Sequence, residues 1–600
     1  MPRKVIVLKF GSSVLQSRAD LPHAVHEIYR WIRRQYRVVA VVSAFAGETD
    51  RLLGTVASYR DANPEAVARI VATGEEVATA FLALELDRFG IPAQVLDPGQ
   101  IQLIAETSSN SNDTEPVSAN VVAIENAFKL GRVAVVPGFV ARDRLGRVAL
   151  FGRGGSDLSA LFLAKQLGAR CRLIKDVDGI YDSDPATNSA ARRFDEIEFA
   201  DALAIAGKVV QQKAIAFGRK TGVPFEVAAI GESYATTVGS ARSVLSARRN
   251  AGAPLRIGLL GLGTVGLGVY QELRKHPQLF EVTGIAVRRP ELHLDEAPCQ
   301  LLTHDCWQAI DDVDVVVELI GGCDPASTLV RTALAAGKPV VTANKLLLAE
   351  DGWLSGHAAL RYSAAVGGAV PALEAVQALA RRDDGRIVSL SGVLNGTCNY
   401  ILDRLAAGCS WEQAVTEAQA HGFAEQDPRA DVSGSDTVCK LRLLARRAFP
   451  QCDVHYVNAT GIDAVDPGWV QAAARDGGRA RLVGSAKLER NHVQLEVKPE
   501  LVDAAHPFAQ IRNEENCLVI DTGEAGPQIW SGRGAGRWPT TAAVMADLFD
   551  LSRERRTAEQ PDSSAINSHP LANIARKDAS PRVRLTTGNW QLTTDFGGAA

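Results

Sequence analysis

The sequence predicts an α/β protein with largely parallel sheets, divided into more than one domain. Three observations carry that expectation. Apolar, β-branched runs alternate with helical patterns along most of the chain, the pattern of strands joined by crossover helices. At 600 residues and 46% hydrophobic, the chain exceeds what one hydrophobic core holds. Two glycine-rich turns of different kinds each follow a strand-like run, so the halves are not repeats of one another.

In order, the strand-like runs are residues 5–8, 38–42 and 133–136, then 256–260, 282–287 and 313–319. Between the two sets lies GSARSVLSARRNAGAP (239–254), rich in Ser, Arg, Ala and Gly, and a fresh strand follows it at once. The domain junction is placed there. From about residue 553 the composition turns polar and aperiodic, through QPDSS to a closing GGAA, so a disordered tail is expected over 553–600. The net charge of -4 and the lack of a long Lys/Arg run argue against nucleic acid or a membrane surface as partner. Small-molecule partners are expected. No stretch approaches the roughly 18 uncharged apolar residues of a spanning helix, and residues 1–10 enter a strand without a signal-peptide region, so a cytoplasmic location is expected. The nine cysteines stand singly, without a C-x-x-C pair or a His cluster at zinc spacing. They read as reduced packing thiols, and no metal site is assigned.

Residues 256–260 run directly into Gly261-Leu262-Gly263-Thr264-Val265-Gly266, followed by a helical pattern. This is a G-x-G-x-x-G fingerprint in its required strand-turn-helix context: turn, close backbone approach to a pyrophosphate, and helix-strand packing. The free N–H groups opening the helix suit the pyrophosphate. After the second strand an NAD site would present an acid to the ribose; here the chain reads Val287-Arg288-Arg289-Pro290. Arg288 and Arg289 suit the 2′-phosphate of NADP, with NAD possible. The bland alternative is a pair of solvated arginines.

The stretch HGFAEQDPRADVSGSDTVCKL (421–441) sets Asp436 and Lys440 at i, i+4, hence on one helical face. A carboxylate beside a lysine keeps the amine protonated and ready to donate to an oxygen gaining charge. For an arbitrary helix this would be a surface salt bridge. Glu425, Asp427 and Asp431 upstream make a turn dense in carboxylates, suited to a substrate ammonium.

NGTCNYIL (395–402), GFAEQDPRADVSGSD and Lys440, with DVVVELIGG from Asp314, TANK ending at Lys345, AAVGGAVP ending at Pro371 and GRGAGRWPT ending at Thr540, together resemble the homoserine dehydrogenase family. The resemblance implies reduction of aspartate 4-semialdehyde to homoserine by a nicotinamide cofactor. Asp436 and Lys440 would be the catalytic pair and Lys345 a second lysine near the carbonyl. Glu425 and Asp431 would bind the substrate ammonium, and Asn395 and Thr397 would lie near the nicotinamide. It also implies a homodimer or higher homo-oligomer, formed through the substrate domain's sheet. Two positions depart from the family pattern: Ser363 offers only a hydroxyl where relatives often place an acid that helps hold a monovalent cation, and Ala430 stands where an aspartate is common.

In the first half, KFGSS (9–13), VVSAFAGETD from Val41, TGEE from Thr73, FGRGGSD from Phe151 and KDVDGIYDSDP from Lys175 resemble the catalytic domain of aspartate kinase. That resemblance implies ATP with Mg²⁺ as phosphoryl donor and an amino-acid-kinase-type α/β sandwich. Lys9 and Lys208 would contact phosphates, and Ser43, Thr49, Glu75 and Arg153 would recognise aspartate. Asp157 would assist attack of its carboxylate. KFGSS lacks one glycine of the usual motif, Asp50 replaces an Asn, and GKVVQQKA replaces AKVLHP. Two readings of this half stay open: an active kinase, or a kinase-like module that binds without turnover. A different oxidoreductase on the same dinucleotide fold is a third, and it leaves the joint occurrence of NGTCNYIL and the Asp436/Lys440 helix unexplained.

The expected domains are therefore a kinase-like domain over 1–240, a linker over 241–254, a Rossmann dinucleotide domain over 255–385 and an α+β substrate and dimerisation domain over 386–552, whose last helix returns to the Rossmann domain. No room remains between the first two for paired regulatory domains, so feedback by lysine, threonine or methionine is not expected.

Overall fold

The computed structural model describes residues 4–59, 63–107, 114–232, 234–246, 253–350, 352–381, 387–424, 426–490, 492–523 and 526–558. The first domain is built on a nine-stranded sheet in the order Val244–Leu245, Phe194–Glu198, Thr236–Gly239, Phe225–Ala229, Arg170–Lys175, Val5–Phe10, Arg37–Val42, Val133–Pro137, Ala93–Val95. Its centre is parallel: Val5–Phe10 pairs in register with Arg37–Val42 on one side and Arg170–Lys175 on the other. Such strands are covered on both faces and so read as unbroken apolar runs. Ile6, Leu8 and Phe10 share a core with Val25, Ile28 and Leu82 of the helices Leu21–Arg33 and Pro64–Arg88. Alternation along the strand then turns Lys9 to the opposite face, toward helix Gly155–Leu167.

The second domain carries six parallel strands in the order Leu302–Thr303, Phe280–Ala286, Leu255–Leu260, Val315–Glu318, Val340–Thr342, Leu360–Arg361. Numbered along this domain the order is 3-2-1-4-5-6, the doubly wound dinucleotide arrangement, with its ligand crevice at the carboxyl ends of the strands. The third domain is a six-stranded sheet, Asn458–Ala459, His492–Val502, Arg479–Glu489, Ser389–Val393, Glu515–Asp521, Pro527–Arg533, antiparallel except at the first pairing. Helices Gly396–Ala406 and Ser435–Ala448 cover this sheet. Helix Arg537–Ala558 then runs back onto helix Thr264–Leu273 of the dinucleotide domain, where Gly268 leaves room for Thr541.

Three expected boundaries shift. The assigned linker contains strand Val244–Leu245, which pairs with Phe194–Glu198 and extends the first sheet past residue 240. Helix Ala372–Ala380 packs on Ser435–Ala448 of the third domain, so the crossover between second and third domains falls at 363–371, not 385. The polar stretch from Arg553 is no tail at its start. It continues helix Arg537–Ala558, its arginines meeting Asp550, Asp314 and Glu232, which is why polarity misread it. The rest of 553–600, from 559 onward, lies outside the described residues. Among the described residues no helix is long and apolar enough to cross a membrane. Among the described residues no two cysteines form a disulfide, and burial pushes Cys398 and Cys171 well above the usual thiol range.

Candidate active sites

Helix Ser435–Ala448 brings Asp436 and Lys440 together as its spacing requires. Lys440 Nζ lies 2.8 Å from Asp436 Oδ2, and Lys345 pairs with Asp436 Oδ1 from the start of helix Lys345–Glu350. Asp436 is 2% exposed and Lys440 8%, whereas Lys345, at 43%, stands at the mouth. Burial alone would raise the Asp436 carboxyl, but the Lys440 and Lys345 ammonium groups override it and hold the group below the usual carboxylate range. Lys440 also donates to the Leu394 carbonyl at 2.6 Å, which fixes its position.

Asn395 caps helix Gly396–Ala406 through its side-chain oxygen and donates from Nδ2 to Asp431 at 2.7 Å and to Asp436 at 2.9 Å. This role was not foreseen: the amide ties the two carboxylates to one another. Thr397 donates to the Phe423 carbonyl at 2.6 Å. The expected acidic turn splits. Asp431 faces Asn395, while Asp427 turns outward to Arg429. Glu425 lies outside the described residues.

The fingerprint turn fits a dinucleotide. Gly261 has φ +100°, and a Cβ there would meet the Leu319 carbonyl at 2.8 Å; at Gly266 it would meet the Gly261 carbonyl at 2.1 Å. At Gly263, which caps helix Thr264–Leu273, a Cβ would meet nothing within 4 Å, so the chain beside the helix start is open to a ligand's approach. Arg288 and Arg289 are exposed just past strand Phe280–Ala286. Between this turn and the lysines, Glu318 ends its strand and accepts from the Ile320 and Gly321 amides at 3.0 and 3.2 Å and from Thr342 at 2.5 Å. Asn344 donates to the Gly322 carbonyl at 2.6 Å. An acid closing an apolar strand was the available signal for Glu318.

In the first domain, Lys9 and Lys175 converge on Asp157, at 2.7 and 2.9 Å. Burial pushes the Lys9 ammonium down; Asp157 is held below the carboxylate range because the two lysines outweigh its burial. A carboxylate so held stays ionised and anchors both lysines. The sequence reading gives Lys175 no role; a lysine closing the apolar run of strand Arg170–Lys175 was the available signal. Gly11 leaves room for the Lys9 ammonium, which a Cβ would meet at 2.7 Å. Ser43 follows strand Arg37–Val42, its amide donating to the Phe10 carbonyl at 3.0 Å. Glu75, buried on helix Pro64–Arg88, is pushed by burial to about 7. Thr49 is half-buried in the first turn of helix Glu48–Val56. Arg153 and Lys208 are exposed, and their loops meet where Gln211 packs on Gly154. Among the described residues Lys208 makes no ion pair with Asp157.

Comparison with known proteins matches all three regions. Residues 4–233 fit the model of the amino acid kinase family, 261–368 that of the homoserine dehydrogenase NAD binding domain, and 371–549 that of homoserine dehydrogenase. The chain is similar to homoserine dehydrogenase of Bacillus subtilis, 33% identical over 321 residues that span 50% of this chain and 74% of that protein. To the Pseudomonas aeruginosa homoserine dehydrogenase it is 34% identical over 361 residues, 55% of this chain and 82% of that protein. A solved homoserine dehydrogenase from Thiobacillus denitrificans superposes with a TM-score of 0.48 at 35% identity, covering 51% of this chain and 74% of that one.

Proposed function

The chain belongs to the homoserine dehydrogenase family and carries an amino acid kinase family domain ahead of it, and from that premise we propose a bifunctional enzyme of amino-acid biosynthesis. Its C-terminal half reduces L-aspartate 4-semialdehyde to L-homoserine with NAD(P)H. Its N-terminal domain phosphorylates the side-chain carboxylate of L-aspartate with ATP and Mg²⁺.

The observation that carries the dehydrogenase reading is Asp436, buried between Lys440 and Lys345. When bound, the reduced nicotinamide supplies the hydride. Lys440 gives a proton to the substrate oxygen as it becomes an alkoxide, and takes one back in the reverse direction. Asp436 is the fixed counter-ion for both lysines, and Lys345 adds positive charge at the mouth, where a carbonyl oxygen enters. Asp431, held by Asn395, takes the substrate ammonium, with Glu425 assigned beside it from the sequence. The fingerprint turn, Gly261 to Gly266, holds the pyrophosphate, and Asn395 and Thr397 border the nicotinamide. Arg288 and Arg289 favour NADP(H) through its 2′-phosphate.

For the kinase, Lys9 and Lys175, anchored on Asp157, neutralise charge on the transferring phosphoryl group, with Lys208 contributing from the neighbouring loop. Ser43, Thr49, Glu75 and Arg153 bind aspartate. Two assays on the full chain test the proposal: semialdehyde-dependent oxidation of NADPH with homoserine as product, and ATP- and aspartate-dependent hydroxamate formation. Absence of the first overturns the dehydrogenase assignment. Absence of the second leaves the N-terminal domain a binding module.

A further inference from the structure

Arg33 is the last residue of helix Leu21–Arg33 in the first domain, yet its guanidinium ends inside the C-terminal half. Nη2 lies 2.7 Å from Glu374 Oε1, 2.5 Å from Asp547 Oδ1 and 3.3 Å from Ser363 Oγ, and Nη1 lies 3.3 Å from Asp550 Oδ2. Ser363 Oγ itself lies 2.5 Å from Glu374 and 3.0 Å from Asp547. The side chains of Arg33 and Asp547 are 8% and 0% exposed.

The partners of Arg33 share a position in the fold. The chain crosses between the dinucleotide and catalytic domains twice, outward at 363–371 and back along helix Arg537–Ala558. Ser363 opens the outward crossing, and Glu374 lies on the first helix beyond it, Ala372–Ala380, which packs on the helix bearing Asp436 and Lys440. Asp547 and Asp550 lie on the returning helix. One guanidinium from the first domain therefore holds both crossings. One turn earlier, the Tyr29 hydroxyl lies 3.5 Å from the Gly368 carbonyl in the outward crossing. His26, two turns before Arg33, meets Glu272 of the fingerprint helix at 3.3 Å.

Without the guanidinium, Glu374 and Asp547 would keep only the Ser363 hydroxyl between them, and the ion pairs that tie the outward crossing to the returning helix would be lost. Their loss would let the crossings spread, and these strands of chain set the angle between the fingerprint turn and the lysine pair. We propose that Arg33 is a positioning residue for the dehydrogenase, supplied by the kinase-type domain, whose charge fixes the angle between the dinucleotide and catalytic domains. The inference rests on the dehydrogenase reading of the C-terminal half.

The test compares the wild-type full chain with Arg33→Gln and Arg33→Lys in both assays, with deuterated NADPH used to read the primary isotope effect. Arg33→Gln is expected to lower dehydrogenase kcat about tenfold, because small misplacements of reacting groups are costly, and to change the isotope effect. Kinase activity of the same sample stays near wild type, and Arg33→Lys recovers part of the loss. If both activities fall together in proportion to the folded fraction, with the isotope effect unmoved, Arg33 is only structural and the proposal is overturned. Unchanged dehydrogenase turnover in a folded Arg33→Gln overturns it too. If that variant does not fold, Asp547→Asn, which keeps the shape and removes the facing charge, gives the same readout: a changed isotope effect supports the proposal and an unchanged one overturns it. A wild-type chain that reduces no semialdehyde overturns the dehydrogenase reading and the proposal with it, whereas silent variants of an active chain overturn the proposal alone.

Discussion

Replacing Lys440 by Met removes the ammonium and keeps the apolar length of the side chain, so it isolates the proton donor. In the structure Nζ makes two short contacts, 2.8 Å to Asp436 and 2.6 Å to the Leu394 carbonyl, in a site where Lys440 is 8% exposed. Stranding a buried charge costs about 3–5 kcal/mol when its only partner goes. Asp436 would not be stranded, because Lys345 and the Asn395 amide remain. The expected destabilisation is therefore about 1–3 kcal/mol, the range for one lost buried polar contact, and the variant stays folded. Turnover behaves differently. Loss of a general acid lowers it by about 10²–10⁴-fold, and no neighbour on the same helical face replaces it. The assay is single-turnover oxidation of reduced nicotinamide at saturating semialdehyde, beside a thermal melt and a cofactor titration. Turnover within about threefold of wild type, in a variant that still binds cofactor, would remove Lys440 from the chemistry.

Three further outcomes are expected. Converting Arg288 and Arg289 together to Ala should reduce the preference for NADP(H) over NAD(H) in kcat/KM by about tenfold or more, and an unchanged ratio would make them solvated bystanders. Glu75 rises from 4.5 to about 7 through burial, so the folded chain holds a proton that the unfolded chain releases. Its effect is a loss of stability as pH rises from about 4.5 to about 7; Glu75→Gln should flatten that slope in pH-resolved melts while weakening aspartate binding, and an unaltered slope would contradict the assignment. Cutting the chain near residue 251 would part Trp530 Nε1 from Gln35 at 3.0 Å and Arg533 from Asp87 at 2.8 Å, and would open a core shared by Ala542, Ala546, Leu82 and Phe89. Each fragment alone should melt far below the whole; a C-terminal fragment as stable and active as the full chain would show the seam to be dispensable.

Local periodicity made much of the site legible. The i, i+4 spacing of Asp436 and Lys440 fixes a shared face whatever the tertiary structure, and the fingerprint glycines meet the backbone limits found at Gly261 and Gly266. Pairings across long separations were not legible. Lys175 and Lys9 meet Asp157 only because their strands lie side by side in the sheet, and Asn395 reaches Asp431 and Asp436 only once its helix is docked. Arg555 and Arg556 look solvated by composition, yet their acids, Asp314 and Glu232, lie far away along the chain. Arg33 is the extreme case: nothing local in the sequence marks a residue whose partners lie more than 300 positions away.

Whether one chain holds two separate catalytic sites is answered by measuring aspartyl hydroxamate formation and semialdehyde reduction on one preparation of the Lys9→Met, Lys175→Met double variant beside wild type. Wild type is expected to perform both reactions, and the variant to lose phosphorylation by at least about 10²-fold while still reducing the semialdehyde. Undiminished hydroxamate formation in the variant, or its complete absence in a wild-type chain that reduces the semialdehyde, would contradict that expectation.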